Sequence, residues 1–362
     1  MRILHLLPSL SGGGAERQLG YLVPELIRMG HDLHIAYSRE GPCNPKFSGA
    51  VLHHLKARSN YDPYLLWQLV RIIRCIKPDI LHTWILQMDI LGGMAAKITG
   101  IPWIFREPSS AMGYSNAWKH RLRVWVGSGA SAIVANSRGG DEYWEAQLPG
   151  SRRYVVKNGL PVHEIERAAA VIPPGVTKVG APIVLYVGRL TSDGSATKNL
   201  RNLLEILACV REKQAVQGIL CGEGPQRHEL EIMRHRLGLD ADVHFTGYLP
   251  AASVWGLMKT ASVFISLSAY EGCPNTVMEA MACGCPLVLS NIPAHRELLD
   301  ECCALFVDPS DIQRTADTIL NALSNGDASN RRAFMAKKKT DAWPVSEMAR
   351  NYERVYNDIC NS

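Results

Sequence analysis

Short apolar runs alternate with longer amphipathic runs along this chain, and the alternation occurs twice. In the first half "RILHLL", "HDLHIAYS", "PDILHTW", "IPWIFRE", "ASAIVANS" and "RYVVKNG" read as strands. Residues from about Glu16 to Met29, "YLLWQLVRIIRCIK" and "DILGGMAAKITG" have helical spacing, and a basic helix follows "IPWIFRE". Strands covered by helices on both faces read as near-continuous apolar runs, which is the mark of a parallel sheet. The pattern breaks at "RAAAVIPPGVTKVGAP", residues 167–182, where paired prolines and glycines replace large apolar side chains. It then resumes with "IVLYVGRL", "NLRNLLEILACVREK", "QGILCGEGP", "RHELEIMRHRLGL", "DVHFTGYL", "SVWGLMKTA", "SVFISLS", "CPLVLSN" and "CALFVD".

The expected architecture is therefore α/β, with two Rossmann-like parallel-sheet domains facing across a cleft. The first domain is expected over residues 1–165, a linker over 166–182 and the second domain over 183–343. A terminal helix over 344–362 carries Met348, Tyr352, Val355 and Ile359 at helical spacing, and is expected to pack back on the first domain. A length of 362 residues fits two cores, since single cores stop growing at roughly 250–300 residues.

No run of 18 or more apolar residues is present, so no membrane-spanning helix is expected. The N-terminus reads as a first strand rather than a signal peptide. The ten cysteines follow neither a disulfide framework nor zinc spacing, and reduced thiols in the cytoplasm fit them. Residues 1–175 hold 20 Lys+Arg against 13 Asp+Glu, and the remainder 19 against 21. A first half at +7 suits an anionic membrane surface or a phosphate-bearing acceptor; an ordinary solvated surface explains it equally. Basic residues do not alternate with aromatics along a groove, which argues against nucleic acid.

Gly12-Gly13-Gly14 lies between the first strand and the first helix, where backbone and helix N-terminus favour an anion. The spacing is not that of a dinucleotide fingerprint. Gly188-Arg189 ends the first strand of the second domain and Lys198 begins the next helix. Two cations at one strand–helix junction suit a diphosphate. Glu223, in Gly222-Glu223-Gly224-Pro225, could hydrogen-bond a base or sugar, and a plain turn explains the tetrapeptide as well.

The stretch "SLSAYEGCPNTVMEAMACGCP" sets Glu271 and Glu279 on either side of a Gly-Cys-Pro-Asn turn, with no basic residue between them. The helix starts near Asn275, and its free N–H groups suit a phosphate. A carboxylate one turn inside, Glu279, can accept from two adjacent hydroxyls. Glu271 in the loop can reach a second polyol. The alternative is a helix-capping acid and a solvated loop acid.

These residues resemble the retaining glycosyltransferases of family four, of GT-B architecture. The resemblance rests on Glu271-x7-Glu279 together with "GGGAERQ", "VVKNGL", "LYVGRL…KNL", "GILCGEGPQRHELE" and "VHFTGYLP", and covers nearly the whole chain. It implies a hexosyltransferase-type enzyme that moves a sugar from a nucleoside-diphosphate sugar to a glycan or lipid-linked acceptor, in surface polysaccharide or glycolipid biosynthesis. A UDP-sugar stands ahead of a GDP-sugar. By the same resemblance Glu271, Arg189 and Lys198 are the catalytic set. Gly13, Gly14, Gly188, Glu223, Gly272, Cys273, Pro274, Asn275, Thr276, Val277 and Glu279 face the donor. No cofactor or metal is implied, and Asp240-Ala-Asp242 reads as a loop.

Where many relatives carry a histidine, this chain has Arg106-Glu107, so Arg106, Glu107 and His82 are acceptor-side candidates; a buried structural histidine explains His82, at the end of "DILHTW", equally well. In "YSNAWKHRLRVWVG", Trp118, Leu122 and Trp125 share a face beside Lys119, Arg121 and Arg123. The face reads as a contact with anionic lipid or as a core-facing helix with a solvated basic side, the second being the commoner arrangement. The implied location is cytoplasmic, on the inner membrane face if the lipid contact holds. Two other functions stand beside this one: a sugar-nucleotide epimerase-like enzyme, which needs no acceptor, and a non-catalytic nucleotide-sugar binder.

Overall fold

The computed structural model describes residues 1–361 except 11–12, 42–46, 60–61, 110–117, 172–179 and 192–197. Gly12, the proline pair at 173–174 and the approach to the basic helix through residue 117 thus lie outside the described residues. The chain divides into two compact units, Met1–Gly159 with Trp343–Ser362, and Leu160–Ala342.

Unit 1 runs β1 (Arg2–Leu7), α1 (Gly14–Arg28), β2 (Asp32–Tyr37), β3 (Val51–His54), α2 (Tyr64–Ile76), β4 (Ile80–Trp84), α3 (Leu86–Thr99), β5 (Trp103–Glu107), α4 (Trp118–Gly127), β6 (Ala132–Ala135), α5 (Arg138–Gln147) and β7 (Arg153–Val155). Its seven strands are all parallel, in the order β3-β2-β1-β4-β5-β6-β7. Strands β4, β5 and β6 are buried at every position, as a sheet covered on both faces requires. Helix boundaries follow local chemistry. Gly100, at φ 73°, closes α3 in a left-handed turn, and the Ser137 hydroxyl accepts from the Gly140 amide to open α5.

α1 packs on one face of this sheet, and α2, α3, α4 and α5 on the other. The C-terminal helix α14 (Val345–Cys360) joins α1 on the first face. Its Met348, Tyr352, Val355, Tyr356 and Ile359 are buried there. Five such side chains contribute on the order of 10 kcal/mol of hydrophobic stabilisation as an upper estimate.

Unit 2 runs α6 (Val162–Arg167), β8 (Ile183–Val187), α7 (Leu200–Lys213), β9 (Gln217–Cys221), α8 (Arg227–Arg236), β10 (Val243–Gly247), α9 (Ala251–Thr260), β11 (Val263–Ser266), α10 (Asn275–Ala282), β12 (Leu287–Ser290), α11 (Pro293–Leu298), β13 (Leu305–Val307), α12 (Ile312–Ser324) and α13 (Gly326–Thr340). Six parallel strands lie in the order β10-β9-β8-β11-β12-β13. α7, α8 and α12 share one core with the sheet.

The division differs from the expected one. Residues 160–171 do not end the first unit or link the two. The Lys259 ammonium donates to the carbonyls of Glu166 (2.9 Å) and Ala168 (2.6 Å), and the Val171 amide to the Gly256 carbonyl (3.3 Å). These bonds fasten the segment to α9, so it belongs to unit 2.

Candidate functional site

In a parallel sheet of this kind a crevice opens where the chain leaves two neighbouring strands in opposite directions. In unit 2 those strands are β8 and β11: the chain goes from β8 to β9 on one side and from β11 to β12 on the other. The residues beyond their carboxyl ends are Gly188-Arg189 and Lys198 after β8, and Ser268 to Pro274 after β11.

Lys198 and Glu271 meet there as an ion pair, both part-buried. The Glu271 Oε1 atom also accepts from the Ser268 hydroxyl (2.8 Å). The acid thus has a basic partner, brought from a different strand–helix junction. Beside it Asn199 takes φ 51°, a left-handed backbone that asparagine tolerates better than most residues. Its amide donates to the Leu267 carbonyl (2.7 Å), tying the start of α7 to the end of β11. Arg189 is exposed, while its carbonyl accepts from the buried Tyr186 hydroxyl (3.2 Å). Burial, and then the Glu271 charge, push that phenol well above its ordinary range.

The glycines of 222–224 bring two loops into contact. A Cβ placed on Gly222, at φ 144°, lies 1.9 Å from the Gly188 carbonyl oxygen, and one on Gly224 lies 2.1 Å from the Leu190 carbonyl oxygen. The Gly188 amide donates to Cys221 (3.0 Å), Leu190 to Glu223 (2.9 Å) and Gln226 to Leu190 (3.0 Å). These glycines let two backbone loops lie against each other, which fixes the floor of the crevice. Glu223 is exposed and paired with Arg227 at 2.8 Å.

Pro274 caps α10, and the first helical bond of the turn runs from the Met278 amide to the Pro274 carbonyl (3.1 Å). The amides of Asn275, Thr276 and Val277 precede that bond and carry the positive end of the helix dipole. The Val277 side chain is buried, so this residue offers the crevice only backbone. Gly272 and Cys273 form the loop ahead of Pro274. Glu279 sits one turn inside at 2 % exposure. Its charge helps burial push the Cys283 thiol up to about 12.

In unit 1 the corresponding strands are β1 and β4. Gly13 caps α1, and a Cβ there lies 2.6 Å from the Glu16 carboxylate, which is buried and accepts from the Ser9 hydroxyl (3.1 Å). Gly14 is the first helical residue. Beyond β4, Ile85 takes φ 74°. A β-branched residue rarely adopts this conformation, and such strain clusters at functional loops. No pattern of residue types announces it.

The three acceptor-side candidates are interior groups. His82 is fully buried, shares a hydrogen bond with the Tyr356 hydroxyl (2.9 Å) and stacks on Trp84. Burial, with His5 and Arg106 nearby, pulls its pKa well below the ordinary value, so it stays neutral. Arg106 lies over the Trp84 ring (4.8 Å) and donates to the Asn158 side chain. Glu107 is fully buried and accepts from the Ser109 amide (2.7 Å), the Trp144 indole (2.8 Å) and Arg123 (2.7 Å). Arg123 in turn reaches Asp89 at 2.7 Å. Arg123 is therefore a core cation, not part of a basic surface.

Asp240 and Asp242 precede β10 and lie at the amino edge of the sheet, away from the crevice. Asp240 is held by Arg234 (3.2 Å) and His235 (2.7 Å). Among the described residues, no group of three or more His, Cys, Asp or Glu is placed to hold a metal ion.

Comparison with known proteins finds relatives along most of the chain. Residues 12–164 match the family model Glycosyltransferase Family 4, and residues 172–340 match Glycosyl transferases group 1. The lipopolysaccharide core biosynthesis glycosyltransferase LpsD of Rhizobium meliloti is 25% identical over 95% of this chain and 97% of its own. The O-antigen biosynthesis glycosyltransferase WclY of Escherichia coli is 28% identical over 42% of either chain. Among solved structures, Anabaena HepE in complex with UDP and glucose superposes with a TM-score of 0.84. That match covers 99% of this chain and 100% of HepE, at 20% identity.

Proposed function

We propose that this chain, which belongs to the GT-B glycosyltransferases of the family 4 type, moves a sugar from a UDP-sugar to a hydroxyl of a glycan or lipid-linked acceptor, with retention at the anomeric carbon. One observation carries the reading. The Lys198–Glu271 pair stands with the amino end of α10 at the carboxyl ends of β8 and β11, the place where an α/β sheet takes a nucleotide. The uridine base is carried over from HepE, whose crystal structures hold UDP and UDP-glucose. The acceptor class, and with it a place in surface polysaccharide or glycolipid synthesis, follows the relatives that build lipopolysaccharide core and O-antigen.

In this reading Glu279 accepts from the two ribose hydroxyls. The loop Gly272–Pro274 and the amides of Asn275–Val277 face the diphosphate and sugar, and Glu271 accepts from sugar hydroxyls. Arg189 and Lys198 neutralise the diphosphate as it departs. Such stabilisation counts most in the transition state, when the leaving group gains charge and the sugar becomes oxocarbenium-like. The bond from the anomeric carbon to the phosphate oxygen breaks while the acceptor oxygen bonds to the same face of that carbon. The acceptor proton passes to the departing phosphate oxygen. No protein base is required, which fits the burial of His82, Arg106 and Glu107.

Donor entry exchanges partners at Lys198: the ammonium leaves the Glu271 carboxylate for the diphosphate, and the freed carboxylate turns to the sugar. The test is transfer from UDP-glucose and UDP-galactose to glycolipid and polysaccharide fractions, with the product anomer read by proton NMR. An α-linked product from these α-donors supports the reading. A β-linked product overturns retention. Conversion of the donor without any acceptor assigns the chain to epimerase chemistry.

A further inference from the structure

Beyond the carboxyl ends of β12 and β13, unit 2 carries a cavity that the donor reading does not use. Its volume is about 640 Å³, within the range of roughly 300–1,000 Å³ usual for small-molecule sites. The wall runs from the start of α7, at Asn199 and Asn202, across the ends of β11, β12 and β13 to the start of α12. Among the described residues neither Lys198, Glu271 nor any part of α10 lines it. Ser268 borders both places: it lines the cavity, and its hydroxyl donates to Glu271. The cavity is thus a neighbour of the donor crevice with a wall of its own.

The polar side chains of this wall are fixed at one end and unspent at the other. The Asn199 side-chain nitrogen donates to the Leu267 carbonyl (2.7 Å) and that of Asn202 to the Pro309 carbonyl (2.8 Å). A carbonyl partner requires the nitrogen, so each side chain keeps its oxygen as an acceptor. At Asn291 the roles reverse: its oxygen accepts from Arg296 Nε (2.6 Å), which leaves two N–H donors. Asp308 spends one oxygen on the Ser310 amide (2.9 Å) and hydroxyl (2.7 Å), and Asp311 spends one on the Arg314 amide (3.0 Å) at the head of α12. The Arg314 guanidinium has no partner among the described residues. Side chains anchored in this way lose little freedom when a ligand arrives.

This set of groups decides the ligand class. Asp308 and Asp311 balance Arg296 and Arg314, so a phosphate or a metal ion meets repulsion as well as attraction. A nucleobase finds no ring to stack on, because Arg296 already lies over Phe306 at 3.7 Å. A hydroxyl donates and accepts at once, so neighbouring hydroxyls suit a wall that offers amide acceptors, amide donors, carboxylates and a guanidinium together. Ile292 and Pro309 add apolar surface for the C–H side of a sugar ring. We propose that this cavity binds an uncharged saccharide unit, separately from the nucleotide-sugar donor. The wall selects a polyol; that the polyol is a sugar rests on the transferase reading, and the two are tested apart.

The test is saturation-transfer NMR on the full chain with galactose and with N-acetylglucosamine, alone and then with excess UDP-glucose to fill the donor crevice. Saturation of the sugar protons that persists beside UDP-glucose is expected. Asn291→Ala with Arg314→Ala removes two donors from the wall, and Thr318→Trp fills the cavity from α12. Each should weaken the sugar by about tenfold or more. Neither change touches the donor crevice, so UDP binding by calorimetry should stay as in wild type, and thermal melts show that each variant is folded. No saturation in wild type, saturation abolished by UDP-glucose, or saturation unmoved by either variant overturns the proposal. Inorganic phosphate bound in place of the sugars, read from its phosphorus-31 linewidth and lost with Arg314, also overturns it and makes the cavity an anion site. UDP-glucose that fails to bind while the sugars still do contradicts the donor reading and leaves this inference standing. In transfer assays, a raised KM for acceptor at unchanged kcat in these variants gives the sugar to the acceptor chain. An unchanged KM gives it to a free sugar, and either result supports the proposal.

Discussion

Replacing Arg123 by methionine removes a cation that faces two buried carboxylates. Arg123 reaches Glu107 at 2.7 Å and Asp89 at 2.7 Å, and lies 5.1 Å from the centroids of both Phe105 and Trp144. Methionine keeps much of the apolar contact and none of the charge. Glu107 retains donors in Ser109 and Trp144, and Asp89 retains the Thr83 hydroxyl at 2.6 Å. Breaking a buried pair by removing one partner costs about 3–5 kcal/mol. For a unit of this size that lowers the melting temperature by about 10 °C.

The effect depends on pH in a definite direction. In the native chain burial pushes Asp89 up to about 6, and the Arg123 charge pulls it back. A raised carboxyl pKa means that the folded state binds the proton more tightly than the unfolded chain. Its contribution to stability is therefore present at low pH and is lost as pH rises from about 4 through 6. Without Arg123 the pKa rises further, and protonation relieves the folded variant at milder acidity. The gap between wild type and Arg123→Met should narrow from pH 8 to pH 5.5 in thermal melts followed by near-UV circular dichroism. Adding Asp89→Asn and Glu107→Gln to the variant should recover most of the loss. A shift under about 2 °C at pH 8, or a gap independent of pH, would refute the reasoning.

Other outcomes follow from the crevice in unit 2. Lys198→Ala should lower turnover on the order of 100-fold by removing charge from the leaving group. Its melt should move little, because a part-exposed pair stabilises by at most about 1 kcal/mol; unchanged turnover would remove Lys198 from the mechanism. Gly222→Ala drives a Cβ to 1.9 Å from the Gly188 carbonyl oxygen at φ 144°. It should cost about 3 kcal/mol and weaken nucleotide binding with it, and calorimetry that finds neither would sink this account of the loop. Excess EDTA should leave transfer unchanged, because the reading gives charge neutralisation to Arg189 and Lys198; abolished transfer, restored by a divalent ion, would contradict it.

Most strands were readable because a sheet covered on both faces needs uninterrupted apolar runs, and "DILHTW" or "SVFIS" admit few other uses. What escaped had weaker patterns. β3 is an edge strand, "VLHH", exposed at most positions, so nothing forces its side chains to alternate. α5, "RGGDEYWEAQ", buries little beyond Gly140 and Trp144, and its start depends on the Ser137 cap rather than on an apolar stripe.

The order of the site residues along the chain was legible, and their pairing was not. Lys198 and Glu271 stand 73 positions apart, and only the adjacency of β8 and β11 brings them together. Arg123 is the instructive case. Lys119, Arg121 and Arg123 look alike in sequence, but 123 shares the inward stripe with Val126, while 118, 121 and 125 face outward. The signal was Glu107, an acid ending a strand of otherwise buried character, which called for a partner.

The central claim is that the crevice beyond β8 and β11 holds a nucleoside-diphosphate sugar. It is tested most directly by titration calorimetry of wild type, Glu279→Ala and Lys198→Ala with UDP, GDP, ADP and CMP. The account predicts that UDP binds wild type. It also predicts that Glu279→Ala, losing the acceptor for two ribose hydroxyls, weakens that binding by about 10–100-fold. Lys198→Ala should weaken UDP more than CMP, which has one phosphate fewer. Wild type that binds none of the four, or UDP binding equal in all three proteins, would contradict it.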